Sequence, residues 1–194
     1  GWVAFQDETD KTPAQFRIHF ETLQQGEKGR RIRAEVDYAY SGGQWLSVAK
    51  HRIKQLTHYQ VASEGQKIEP LRLGKGPFPL PFGQRVEDVL KYFEVTTRPP
   101  KEGDPRKTDY LKLVTRRRRR RETAFREMEL WADRRTHLPV KIVSRDKSRN
   151  ITTVVFEDVR KVQDMEEDLF TLERSWGWKE RFMPLEKAGA PGQD

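Results

Sequence analysis

Hydrophobic and polar residues alternate with period two through most of this chain, and that alternation predicts strands. The clearest stretch is residues 127–159, EMELWADRRTHLPVKIVSRDKSRNITTVVFEDV. Met128, Leu130 and Ala132 alternate with Glu127, Glu129 and Asp133, giving one apolar and one acidic face. Trp131 interrupts the acidic side, so that face is not wholly solvated. After a turn at 133–137 a second strand runs from Pro139 to Ser144, with Val140 and Ile142 on one side and Lys141 and Val143 on the other. Proline is tolerated at the first residue of a strand. A polar turn at 145–150 leads into the β-branched run 151–156. The three strands form an antiparallel meander that has one face to bury.

The first sixty residues read the same way. Val3 and Phe5 open a short strand. Phe16, Ile18 and Phe20 alternate with Arg17, His19 and Glu21, and Ala34, Val36, Tyr38 and Tyr40 alternate with Arg33, Glu35 and Asp37. Ser41-Gly42-Gly43 is a hairpin signal, and strands at 45–49 and 53–61 follow. The middle differs. Residues 73–83, LGKGPFPLPFG, hold three prolines and three glycines and predict an extended strap. Over 84–93, Val86, Val89, Leu90 and Phe93 fall at i, i+3, i+4 and i+7, the stripe of a helix. At about ten residues it must pack on something to persist. Tyr110 to Val114 is a further strand, Leu169 to Leu172 a short strand or edge, and 187–194 a disordered tail. A sheet of about nine or ten strands curls or closes. The expected fold is mainly β (α+β): a strongly curved antiparallel sheet forming an open, incomplete barrel, with one or two helices in its concave face, as a single domain over 1–186.

Composition changes this picture little. Hydrophobic and charged residues each make up 35% of the 194, but the apolar ones are patterned, which argues against disorder. There is no apolar run long enough for a transmembrane helix and no signal peptide, and the abrupt strand-like start at Gly1-Trp2-Val3 suggests a leader already removed. Cysteine is absent, which excludes disulfides and thiolate chemistry. Of the net charge of +8, six charges sit in one run, Arg116, Arg117, Arg118, Arg119, Arg120 and Arg121, leaving +2. The basicity is one local feature.

Three stretches carry a family resemblance: Tyr110-Leu-Lys-Leu113; Leu130-Trp-Ala-Asp133 with Thr136-His-Leu-Pro139; and Ile151-Thr-Thr-Val-Val-Phe-Glu-Asp-Val159 with Leu169-Phe-Thr-Leu172. In their order the chain resembles the LolA-like superfamily of bacterial periplasmic lipoprotein carriers, in an uncharacterised branch. The resemblance implies a half-closed barrel with helices over an apolar cavity, and a role in carrying or sensing acylated lipoproteins or lipids in the periplasm or cell envelope. The chain departs from that pattern in three places. The family's amphipathic N-terminal helix is not visible, the arginine run occupies a link that is usually polar or proline-bearing, and Arg174-Ser175-Trp176 stands where a Pro-Gly turn is expected. On this reading a monomer shelters an acyl chain against Phe16, Ile18, Phe20, Val36, Tyr38, Tyr40, Met128, Leu130, Ile142 and Val155. The helix residues Val86, Val89, Leu90 and Phe93 face them, and the strap 73–83 forms part of the gate.

Candidate chemistry is otherwise sparse. The arginine run could contact phosphates of an anionic membrane surface; nucleic acid is the weaker alternative, since no RNA- or DNA-binding motif accompanies it. Its bland reading is a solvated link whose like charges block edge pairing. His19, His51, His58 and His137 lack metal-ligand spacing, so no metal or cofactor is expected. Glu87-Asp88 and Glu157-Asp158 point to different faces and form no acid/base pair. With no catalytic constellation, the expectation is a non-enzymatic carrier or sensor. The alternatives are a basic binding module acting through Arg116–Arg121, or a structural envelope domain filled by its own side chains.

Overall fold

A computed structural model describes residues 1–10, 12–24, 29–63, 86–160, 162 and 165–185. The predicted strap at 73–83, helix residues 84–85 and the tail at 187–194 lie outside them. Contacts divide the chain into two compact units, Gly1–Pro70 with Asp164–Asp194, and Leu71–Gln163.

Unit 1 is built from the first alternating stretches. Its strands are β1 (Trp2–Gln6), β2 (Gln15–Gln24), β3 (Arg31–Tyr40), β4 (Trp45–Lys50) and β5 (Gln55–Gln60). The C-terminal β11 (Lys179–Met183) joins them in a six-stranded sheet of order β1-β2-β3-β4-β5-β11. The β3–β4 hairpin turns where predicted. Gly42 has φ +90, and a Cβ there would fall 2.0 Å from Pro13 Cγ, so only glycine fits. β1 to β5 pair antiparallel, whereas β11 pairs parallel to β5. That pairing corrects the all-antiparallel expectation. Lys-Glu-Arg-Phe-Met has no apolar alternation to announce a strand, and it forms because β5 offers an unpaired edge.

Unit 2 carries α1 (Val86–Tyr92), β6 (Phe93–Arg98), β7 (Thr108–Thr115), β8 (Phe125–Asp133), β9 (Pro139–Asp146) and β10 (Ile151–Val155). The five strands form an antiparallel sheet of order β10-β9-β8-β7-β6. The predicted meander of β8, β9 and β10 is present. Its first turn is held by Asp133 Oδ1, which accepts from the Thr136 N–H at 2.8 Å and the Arg135 N–H at 3.0 Å. The helix ends earlier than its stripe suggests. Phe93 begins β6, because Phe93-Glu-Val-Thr-Thr switches to period two with β-branched residues.

The described strands thus lie in two sheets, six and five, and neither sheet closes on itself. This replaces the single wrapped sheet expected from the strand count. Residues 169–172 are no strand either: Glu167–Phe170 is a 3-10 turn.

Candidate functional site

Cross-strand register gathers the predicted unit 1 residues on one face. Phe16 pairs with Tyr40, Ile18 with Tyr38 and Phe20 with Val36. Phe16, Ile18 and Tyr40 are buried, Val36 and Tyr38 half-buried, and Phe20 exposed. The Tyr40 hydroxyl donates to Gly43 O at 2.9 Å and so closes the hairpin. Burial raises both tyrosine hydroxyls above their ordinary value, with Tyr59 adding to Tyr38 and Glu8 to Tyr40, so both stay protonated and neutral at physiological pH.

In unit 2 two register rows make the apolar face: Val95, Leu113, Met128, Ser144, Thr152 and Thr97, Leu111, Leu130, Ile142, Val154. Phe93, Met128 and Ile142 sit in one buried cluster with Tyr92, Leu113 and Phe125; Val89, Leu130 and Val154 pack against it. Val155 does not belong there. It stands across from Lys141 on the opposite face and is exposed. A run of five β-branched residues has no polar alternation to set its faces, which is why the sequence reading placed Val155 on the wrong one. The helix stripe is split as well. Phe93 and Tyr92 are buried and Val89 half-buried, but Val86 is 67% and Leu90 45% exposed.

The opposite face of this sheet explains Trp131. One register row crosses four strands as Arg98, Tyr110, Trp131 and Lys141. The Arg98 guanidinium lies 3.7 Å from the Tyr110 ring centre, the two rings meet edge-on at 5.2 Å, and Lys141 Nζ lies 4.9 Å from the Trp131 ring. Asp104 closes the row, accepting from Arg98 at 2.6 and 3.0 Å, from the Lys101 N–H and from Trp131 Nε1. The Arg98 hydrogen bonds, then that from Lys101, hold its carboxyl far below the carboxylate range.

The arginine run is not one featureless charge. Two consecutive turns wind it, Arg119 N–H to Arg116 O at 2.8 Å and Glu122 N–H to Arg119 O at 2.9 Å. Buried Thr115 and Thr123 pin its base, both hydroxyls donating to Phe125 O. Arg116 donates through its backbone to Tyr92 O and through Nε to Leu90 O, tying the run to the end of α1. Arg119 pairs with Glu122 at 2.8 Å and lies over the Tyr92 ring. Arg117, Arg118, Arg120 and Arg121 are exposed.

Sequence spacing missed a second group. On the other face of the unit 1 sheet Asp37 is 1% exposed and accepts from His51 Nε2 at 2.6 Å, His19 Nδ1 at 3.2 Å and Arg17 Nε at 3.2 Å. Burial alone would raise this carboxyl, but the hydrogen bonds from His51 and His19 and the charge of Arg17 outweigh it and hold it below its ordinary value. Two residues of the C-terminal segment reach the cluster: Arg17 Nη1 donates to Leu169 O, and Trp178 meets His51 edge-on at 5.0 Å. On the same face Ser47 Oγ lies 2.8 Å from His58 Nδ1 and His58 Nε2 3.0 Å from Glu180 Oε1. A neutral imidazole protonated at Nε2 satisfies both contacts. Phe182 stacks on His58 at 4.6 Å, so the relay clamps β11 to β5. A signal did exist for the strand members: Arg17, His19, Asp37, Ser47 and His58 lie at strand positions opposite in parity to the apolar stripe. Among the described residues no His, Asp or Glu group is disposed to hold a metal ion, and no helix is long and apolar enough to cross a membrane.

No family model and no curated protein matches this chain. Solved structures do. One is a domain described as an outer membrane lipoprotein-sorting protein domain from Vibrio parahaemolyticus, at 13% identity and TM-score 0.39, covering 82% of this chain. This chain spans only 63% of that one. Another is a chain of the complex between the CwlD amidase and the GerS lipoprotein of Clostridioides difficile, at 12% identity and TM-score 0.40, with 83% of this chain and 85% of the other covered. At TM-scores of 0.39 and 0.40 neither likeness bears on family or activity, which rest on the residues themselves.

Proposed function

We propose that the chain is a non-enzymatic carrier or sensor that shelters an acyl chain of a lipid or lipoprotein in the cell envelope. The observation that carries this reading is the split stripe of α1. Val89, Tyr92 and Phe93 anchor the helix on the apolar cluster, while Val86 and Leu90 leave an apolar edge in solvent. An exposed apolar edge beside a half-buried apolar face, here Val95, Leu111 and Leu130, suits a ligand with a long methylene chain. Each methylene taken from water contributes about 0.8 kcal/mol. The rival reading, a structural domain with a self-filled core, is favoured by the burial of Phe16, Ile18, Tyr40, Phe93, Met128 and Ile142.

Titration with a fluorescent fatty acid separates the two. The carrier reading expects saturable binding that weakens in Val86→Asp and Leu90→Asp variants whose melting is unchanged. Absence of saturable binding, or binding indifferent to both changes, leaves the structural reading.

A further inference from the structure

We infer that the arginine loop and the open edge of α1 form one docking surface for an anionic lipid bilayer. The inference goes beyond ligand shelter: it shares Val86 and Leu90 with that reading and adds the arginine loop, which shelter does not use. Three observations within unit 2 carry it. First, four of the six arginines, Arg117, Arg118, Arg120 and Arg121, are exposed and have no acidic partner among the described residues, while Arg116 and Arg119 are held by the fold. Second, the loop is wound and pinned: two turn hydrogen bonds and the buried Thr115 and Thr123 present the four guanidiniums from an ordered base. Third, the bonds from Arg116 to Tyr92 O and Leu90 O place that loop directly at the end of the helix that exposes Val86, Leu90 and Lys91.

Charge with adjacent apolar side chains selects the partner. A polyphosphate or nucleic acid backbone needs cations but gains little from an exposed valine and leucine. No aromatic side chain is exposed in this loop for bases to stack on. A bilayer offers both an anionic headgroup layer and, just below it, acyl chains that take up Val86 and Leu90. Arginine suits the first role, because its planar fork meets phosphate oxygens in pairs. Lys91 adds a fifth cation at the same helix end.

The test uses the whole chain and vesicles of phosphatidylcholine with and without phosphatidylglycerol, separated by sedimentation. Three variants are compared: one with Arg117, Arg118, Arg120 and Arg121 all changed to Gln; an equal-charge control with Lys101, Arg106, Arg135 and Lys147, exposed elsewhere in unit 2, changed to Gln; and Leu90→Ser. The expected result is binding to anionic vesicles only, falling with salt. The four-arginine variant should lose it by a few hundred-fold, at about fivefold per basic residue (about 1 kcal/mol each). The control should keep it, and Leu90→Ser should weaken it several-fold. Equal binding to neutral vesicles, equal loss in the control variant, or tighter binding of a single-stranded oligonucleotide than of anionic vesicles at the same salt would each overturn the inference. Fatty-acid binding in the absence of vesicles is read separately. Its loss with vesicle docking intact removes the carrier reading alone, and the reverse removes the docking surface alone.

Discussion

The two sheets use the same period-two code, yet their charged faces end differently. In unit 2 the ion pairs of the charged face stay half-exposed: Lys112, Glu127 and Arg145 pair across strands, while Arg98 and Lys141 flank Tyr110 and Trp131, which are buried between them. In unit 1 the Asp37 cluster on the corresponding face is closed over by Leu169 and Trp178 of the returning C-terminal segment, and Asp37 is 1% exposed. Charge on a half-exposed face can be rearranged at small cost, because water screens it. Charge under the cover has to be matched, because a carboxylate taken from water without donors is costly. Asp37 is matched by three donors, from β2 and from the 3-10 turn after β4.

The contrast is broken most severely through the apolar side. Phe93→Ala empties a fully buried position in the unit 2 cluster and should cost about 3–5 kcal/mol in urea unfolding. A loss under 1 kcal/mol would mean that the cluster is not the core of that unit.

Next in size is Asp37→Asn, which leaves Arg17, His19 and His51 without their anion. Breaking a buried ion pair costs about 3–5 kcal/mol; the low end is expected here because Arg17 and His51 keep some solvent. The pH dependence has a definite sign. The folded carboxyl sits below its unfolded value of 3.8, so its stabilisation is full well above pH 3.8 and is lost as pH falls through the folded value. Wild type and variant should therefore differ in unfolding free energy at pH 7 and 5 and converge in stronger acid. A constant difference down to pH 2 would place the effect in packing instead.

Ser47→Ala tests the clamp on β11. Losing one hydrogen bond to His58 should cost about 1 kcal/mol and speed amide exchange in β11 and β5 before other strands. Unchanged exchange at residues 179–183 would remove the relay from that role.

The smallest effect belongs to Leu90→Asp. Its helical stripe suggests a core position, but at 45% exposure the change should stay within about 0.5 kcal/mol of wild type. A drop of several kcal/mol would restore the stripe as buried core and end the reading of α1 as an open edge.

Local pattern was enough to find ten of the elements. The strands β1 to β5 and β7 to β9 and the helix α1 are readable because each carries its own periodic stripe, β10 because it is a β-branched run, and the turns at Gly42, Asp133 and Asp146 because their residues hold the turn locally. The apolar rows followed from the same parity, as with Phe16, Ile18, Tyr38 and Tyr40. What needed the folded chain was everything set by a distant partner. β11 exists because β5 has a free edge, and its own residues carry no strand signal. Val155 and Val154 exchanged roles because only pairing with β9 chooses a face in an all-branched run. Two arginines of six were drawn into the fold by α1, thirty residues upstream at most. Arg17, His19, Asp37, His51 and Trp178 met because adjacent strands and a returning C-terminal segment brought them together. A one-dimensional pattern encodes which side of a strand a residue takes. Which neighbour stands on that side, and whether water is shut out from it, is set by chain closure over long sequence separations, where the pattern carries no information.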